Sequence, residues 1–467
     1  MTSLWDSVAG SGSGVRGAFH GADASIALAE FATASCLAGN FEALRGRSVL
    51  LALREQLSTA VALLELDGIA RRMVLCTPDL TPQQLAEVAA TAETDAVLSD
   101  VRPADPRPPP SVTLMQPRPV PAPIERRTRF ESEWILLTSG TTGSPKLVVH
   151  TLASLAGPLP RQPPDAGSVW STFYDIRRYG GLQIYLRAVM SGSPLVLSSP
   201  AESTADFLAR AAARGVTHIS GTPSHWRRAL MSGAAQLLKP AYVRLSGEVA
   251  DQVLLDQLRA TYPNARIAHA FASTEAGVAF DVNDGRAGFP AEFIGGAQSG
   301  IDMKLEDGTL RIRSQRTATR YLGSAPKDLA GGDGYVDTGD LVELKDGRYY
   351  FRGRKGGIIN VGGQKVYPEE VECVLNADPR VRMSLVRSRR NPITGAVVVA
   401  DVVLKESVSC APDTPLAEDI KNDLLNSCRR ALPAHKVPAM LRFVAALELT
   451  AAGKLVRPQD TPTGSYA

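Results

Sequence analysis

Cysteine is scarce in this chain: there are five in 467 residues (Cys36, Cys76, Cys373, Cys410 and Cys428), none in CxxC spacing. Such scatter argues against a thiolate metal cluster and a disulfide framework, and fits reduced thiols in a cytosol. Long apolar runs are missing too, since none reaches the roughly 18 residues that a spanning helix requires. The opening MTSLWDSVAGSGSG has no basic stretch followed by an apolar one, so no secretory leader is expected. A surplus of one charge is also absent: 51 Lys and Arg stand against 48 Asp and Glu, a net charge of +3. That balance disfavours a nucleic-acid binder driven by bulk charge. No fixed-period repeat occurs. The expected location is the cytoplasm.

The remaining composition, 44% hydrophobic and 21% charged, is that of a soluble globular protein. A chain of 467 residues is too long for one ordinary core, so two or three domains are expected. Residues through about Gly21 are Gly/Ser-rich and read as loosely held. From Val49 apolar runs alternate with helical stretches. One such helix is signalled by Thr81 as N-cap and Pro82 at the first helical position. The alternation predicts an α/β fold with a largely parallel sheet. The proline-dense segment from Pro103 to Pro123 reads as an irregular surface connection. After Gly295 the texture changes to short strands, with hairpin turns at the two Asp-Gly pairs in DMKLEDGTLRIRS and VELKDGRYYF.

The chemistry concentrates in LLTSGTTGSPKLVVH, residues 136–150. An apolar strand opens into Thr138, Ser139, Gly140, Thr141, Thr142 and Gly143, and the run closes on Pro145-Lys146. Glycines let backbone N–H groups turn toward an anion, hydroxyls add donors and Lys146 adds charge, so a polyphosphate is the natural ligand. A Walker A site would need Gly-Lys-Ser/Thr opening a helix. Here the lysine follows proline and precedes an apolar run, which excludes it.

This loop resembles the phosphate loop of the adenylate-forming superfamily of acyl-CoA synthetases, peptide-synthetase adenylation domains and luciferases. Four further segments are similar to that family's motifs in the same order. They are Phe271-Ala272-Ser273-Thr274-Glu275, the Thr-Gly-Asp ending at Asp340, Phe351 to Glu372 around the hinge, and His435 to Lys454. The resemblance implies a large N-terminal domain, 1–354, of mixed and parallel sheets with helices plus a distorted barrel subdomain. A small mobile α+β domain, 355–467, would follow it. It also implies roles. Lys454 would be the catalytic cation, Glu275 would hold Mg2+ against the triphosphate, and Thr274 would contact the α-phosphate. Asp340 would accept from the ribose hydroxyls with Arg354 beside it. Gly247 with Phe271, Ala272 and Ser273 would form the adenine slot. Lys355, Gly356 and Gly357 would form the hinge, and Gly362 and Gly363 would line a thiol channel. The implied reaction activates a carboxylic acid with ATP and transfers the acyl group to a thiol, with CoA favoured because no carrier domain is fused.

The chain also departs from the family pattern. Glycine replaces the pivot side chain at 356, alanine replaces a glycine at 272, and the usual histidine segment reads FYDIRRYGGL. Tyr174, Arg177, Arg178 and Gly180 in that segment are candidate pocket residues, and the two arginines either meet an extra acidic group on the substrate or face solvent. Three other readings stay open: loading of a separate phosphopantetheine carrier protein, an adenylating enzyme with a non-thiol acceptor, and a non-catalytic nucleotide sensor.

Overall fold

The computed structural model describes residues 3–9, 17–101, 111–113, 117–121, 130–138, 145–157, 159, 167–296, 300–323, 329–392, 394–405, 408, 414–449 and 454–456. It is a mixed α/β protein in which two large sheets carry most of the N-terminal part. The first has eight strands in the order 277–282, 266–273, 242–246, 218–221, 170–172, 195–197, 18–20 and 25–27. Its interior pairings are parallel and only the two outer ones are antiparallel. Runs such as Leu195–Leu197 and Tyr242–Ser246 are buried throughout, as parallel strands covered on both faces must be.

The second sheet has seven strands, ordered 320–322, 146–150, 133–138, 72–75, 48–52, 96–99 and 111–113. The helix Pro82–Thr91 begins as its sequence signals: Thr81 accepts from the Gln84 N–H and proline fills the first turn. A third, antiparallel sheet of five strands spans residues 289–354. Its hairpins turn at Asp307-Gly308 and Asp346-Gly347, where all four residues have positive φ between 50° and 76°. That is the backbone a two-residue type I′ turn demands.

Residues 359–443 build a core of their own, in which Val371 and Leu375 of helix Pro368–Asn376 meet Ile420 and Leu424 of helix Pro415–Ala431. Both helices back a three-stranded sheet of 381–391, 395–404 and 440–443. Among the described residues no helix is long and apolar enough to cross a membrane, and Cys36, Cys76, Cys373 and Cys428 are free thiols.

Two expectations need correction. The N-terminal stretch is not loose where it is described: Leu4–Ala9 is a helix whose Leu4 is fully buried and whose Leu4 N–H donates to Asp67. Ala18–His20 is a strand inside the first sheet. Apolar Leu4, Val8 and Phe19 outweigh the surrounding glycine and serine, because burying each removes it from water. The proline-dense segment likewise contributes two short strands, Ser111–Thr113 and Val120–Pro121. Both pair along only one edge, where a missing N–H is tolerated.

Candidate functional site

The phosphate-loop residues Ser139, Gly140, Thr141, Thr142 and Gly143 lie outside the described residues, but both ends of that loop are placed. Strand Glu133–Thr138 and strand Lys146–His150 are antiparallel neighbours, with Thr138 opposite Lys146. The Lys146 ammonium stands 5.7 Å from the centre of the Tyr321 ring. The hydroxyl of the same tyrosine donates to Glu275 at 3.3 Å. One aromatic side chain therefore brings the loop lysine and the motif carboxylate to the same wall. The turn from Ser273 to Gly277 is braced from below by His150, which donates from Nε2 to the Thr274 carbonyl at 2.8 Å and accepts at Nδ1 from the Ser154 hydroxyl. Burial holds His150 neutral, its pKa pushed down to about 4. Ser273 accepts from the Ala276 N–H, closing the turn.

Asp340 sits on strand Val336–Lys345, paired with Arg354 on strand Arg348–Arg354. Its carboxylate is 9% exposed and one oxygen accepts from Arg354 Nε at 3.2 Å. The other oxygen is buried without a hydrogen-bond partner among the described residues. Burial raises its pKa, and the charges of Arg354 and Lys454 oppose that rise. Phe271 stacks on Phe351, ring centres 4.9 Å apart, and so ties the first sheet to the third.

Lys454 enters from the far end of the chain. Its Cε lies 3.2 Å from the position a Cβ would take on Gly247, whose φ is +86°. A side chain there would be both strained and in the lysine's way. The next residue anchors the approach: the Leu455 N–H donates to Glu248 at 3.2 Å. Glu248 also accepts from the N–H and hydroxyl of Ser224, in the first turn of helix Pro223–Met231. Lys454 keeps solvent-exposed surface, while protein crowds around its ammonium. That crowding, then the charge of Arg354, lowers its pKa against the pull of Glu248 and Asp340.

The candidate pocket arginines separate. Arg177 is 2% exposed and held by the Asp175 carboxylate and the Leu53 carbonyl. It does not face solvent, which corrects that alternative for this residue. Arg178 is paired with Asp79 at 3.0 Å and is near enough for its charge to act on Lys454. Tyr174 donates to the Ser246 carbonyl at 2.7 Å, and Gly180 packs against the Tyr174 ring. Ala272 is partly buried and packs against the main hydrophobic core.

At the junction, Lys355–Gly357 forms a single 3₁₀ turn. Open space surrounds Gly356 and Gly357, and neither has a positive φ. Gly362 and Gly363, with φ of +57° and +84°, make the tight turn between strands 359–361 and 364–366. Gly363 lines a groove of about 440 Å³ with Ile358, Asn360 and Ala396. That groove includes none of the residues around Lys454.

Sequence reasoning passed over Glu248, His150 and Tyr321. Glu248 immediately follows Gly247, and His150 ends the LVVH run, so position was the one available signal for each. Tyr321 belongs to no motif and comes into the wall through the pairing of strand 320–322 with strand 146–150.

Fold and cleft together define a two-domain enzyme that handles an adenine nucleotide. The chain belongs to the AMP-binding enzymes: that family's model matches residues 31–317 and the model of its C-terminal domain matches residues 370–454. It is similar to 2-succinylbenzoate–CoA ligase of Staphylococcus epidermidis, 25% identical over 336 residues, covering 69% of this chain and 68% of that one. Among solved structures it resembles o-succinylbenzoate CoA synthetase of Bacillus subtilis in complex with its acyl-adenylate, with TM-score 0.77, 20% identity and 99% of both chains covered. It also resembles the amide bond synthetase of Marinactinospora thermotolerans, with TM-score 0.75, 18% identity and 97% of both chains covered. The expectation of an AMP-forming acid–thiol ligase agrees with this family and these relatives.

Proposed function

We propose that the protein activates a carboxylic acid with ATP, releasing pyrophosphate, and passes the acyl group from acyl-AMP to the thiol of CoA. One observation supports this most: a buried Asp340 oxygen has no partner among the described residues, and the charges of Arg354 and Lys454 act on that carboxylate. A buried carboxylate oxygen lacking a donor is costly unless a ligand supplies one, and the hydroxyls of a ribose are suitable donors. Arg354 fixes that carboxylate from its other side. Thr138 to Gly143 and Lys146 would cradle the triphosphate, and Thr274 would meet the α-phosphate. Gly247, Phe271, Ala272 and Ser273 would line the adenine slot.

In the first step the acid's carboxylate attacks the α-phosphorus, and the Lys454 ammonium stabilises the negative charge that gathers there. No protein nucleophile is required. Glu275 suits Mg2+, because among the described residues its carboxylate is held by a tyrosine hydroxyl alone. No larger cluster of metal-ligating side chains occurs among the described residues. A hard cation that keeps its waters and phosphate oxygens needs few protein ligands, and when bound it would offset triphosphate charge.

The division between domains would fall between Arg354 and Lys355, with the turn 355–357 as hinge. Two glycines stand there although this conformation asks for neither, which fits a backbone that must also adopt another one. After that rotation Gly362 and Gly363 would approach the thiol. ATP and CoA as substrates, with free thiols at four cysteines, suit the cytoplasm.

The test is acid-dependent exchange of pyrophosphate into ATP across a panel of acids, followed by addition of CoA, a phosphopantetheinylated carrier, or an amine. Exchange with thioester formation on CoA is expected. Exchange with no acid at all would refute adenylation, and product only with carrier or amine would refute the acceptor.

A further inference from the structure

With residues 355–357 taken as the hinge, the strand Arg348–Arg354 before it and the helix Pro368–Asn376 after it lie against each other. Gly353 allows the approach: its φ is +129°, and a Cβ there would collide with the Glu369 carboxylate. Arg352 reaches across. Glu343, on the neighbouring strand Val336–Lys345, accepts from its Nε at 2.8 Å and from its Nη2. That leaves Nη1 toward the helix, 3.8 Å from Glu370. The guanidinium carbon also lies 5.6 Å from the centre of the ring of Tyr367, the helix N-cap, and a cation over an aromatic face is attracted to it. Cys373 stands three residues beyond Glu370 and so shares its helix face. The charges of Asp251 and Arg227, which pair with each other before the hinge, act on its thiol.

Each charge in this contact has a second partner on its own side. Glu370 accepts from the Lys436 ammonium at 2.7 Å, and Lys436 is buried in the turn Ala434–Lys436, beyond the hinge. Arg352 has Glu343, before the hinge. When the two parts separate, Lys436 still neutralises Glu370 and Glu343 still neutralises Arg352. Neither is stranded as an unpaired buried charge, the outcome that makes most buried pairs costly to break. Both side chains are partly exposed, so water reaches them as they part, and a pair of this kind is weak in itself. It biases an arrangement without locking it. The arrangement it favours is the one seen, with Lys454 beside Gly247.

We propose that Arg352 is a positioning residue: its contact with Glu370 and Tyr367 across the hinge holds the C-terminal part where Lys454 reaches the cleft, and its release frees that part for the thiol step. The inference rests on the hinge reading given under the proposed function. Arg352 acts on Lys454 through the docking of helix Pro368–Asn376, and it sets how the enzyme divides its time between the two half-reactions.

The test uses Cys373 as a reporter, through iodoacetamide labelling of the full chain read by peptide mass spectrometry without substrates. Cys373 keeps exposed surface in the docked arrangement, while burial and the charge of Asp251 raise its thiol pKa. Undocking removes both, and the reactive thiolate forms more readily. Arg352→Gln should raise Cys373 labelling by about 2–5-fold and Arg352→Lys by less, with buried Cys76 and Cys428 unchanged. Acid-dependent exchange at saturating ATP, with the panel acid that exchanges fastest, should fall by a similar factor in Arg352→Gln. Thioester formation from that acid's supplied adenylate should not fall. Gly356→Ala combined with Gly357→Ala, which this conformation accepts, should slow Cys373 labelling. Unchanged labelling and exchange in Arg352→Gln, with the alanine pair still effective, overturns this inference and leaves the hinge standing. A rise shared by Cys76 and Cys428, or an equal fall in both half-reactions, assigns Arg352 to general stability and overturns it too. No response in either variant removes the hinge reading and this inference with it.

Discussion

The two ends of the cleft are built on different principles. The proposed nucleotide end is assembled from turns and hairpins, and the second oxygen of Asp340 and the hydroxyl of Thr138 are buried without partners among the described residues. The inner end, along strands Tyr242–Ser246 and Gly277–Val282, is assembled from the faces of paired strands, and there Arg244 is engaged by Asp281 through Nε while its Nη2 has no partner among the described residues. A site for a common cofactor can use short local segments, because the shape it must fit does not change. A site for one particular acid draws single side chains from several strands, and each is set by what lies across the sheet.

The comparison is broken most directly at Lys454, which serves both ends. Lys454→Ala should lower acid-dependent pyrophosphate exchange by about 10²–10³-fold, as loss of one pre-positioned charge typically does. ATP affinity measured by calorimetry should stay nearly constant, and equal loss of both would place the lysine in binding instead. Next comes the nucleotide end alone. Asp340→Asn keeps the size but halves the accepting capacity, so ATP affinity should fall by about 10–100-fold, in line with 1.5–3 kcal/mol for bonds to a charged group.

Smaller effects separate positioning from chemistry. Glu248→Gln weakens the anchor for the Leu455 N–H and should slow adenylation by about 10-fold. Thioester formation from supplied acyl-AMP should remain unaffected. Arg-for-Lys at 454 should also extend the alkaline limb of activity. The ammonium is the active form and burial lowers its pKa, so the wild type loses charge at a lower pH than a free lysine would.

The mildest effect concerns stability. His150 is neutral when folded, with its pKa pushed down from 6.5 to about 4. Between those values the unfolded chain binds the proton and the folded one does not, so this contribution is complete above pH 6.5 and is lost as pH falls toward 4. Asp67, raised from 3.8 to about 6 by burial, acts in the opposite sense. The readable quantity is therefore the difference in melting temperature between wild type and His150→Gln across that range, which should narrow on acidification.

Much of the scaffold was legible in the chain. Thr81-Pro82 marked a helix start and the two Asp-Gly pairs marked hairpins, because capping and left-handed turns depend on neighbours only a few residues apart. The family resemblance was legible for the same reason. Leu4 and Val120 misled, since glycine, serine and proline around them describe local freedom, whereas burial against Asp67 or pairing with Ser35 is a long-range event. Arg177 misled similarly, because Asp175 two residues before it and the Leu53 carbonyl claim it once folded. Arg244 and Asp281 could not be singled out, as they come from two strands and share no motif.

Leu449 and Leu455 face each other in an isolated antiparallel bridge, and the Val456 N–H bonds back to the Glu448 carbonyl. The ends of the segment bearing Lys454 are thus tied to each other as well as to the cleft. Release from Glu248 would leave that tie intact, so the ammonium could be withdrawn and returned as a preformed plug, with little chain entropy lost on each reinsertion.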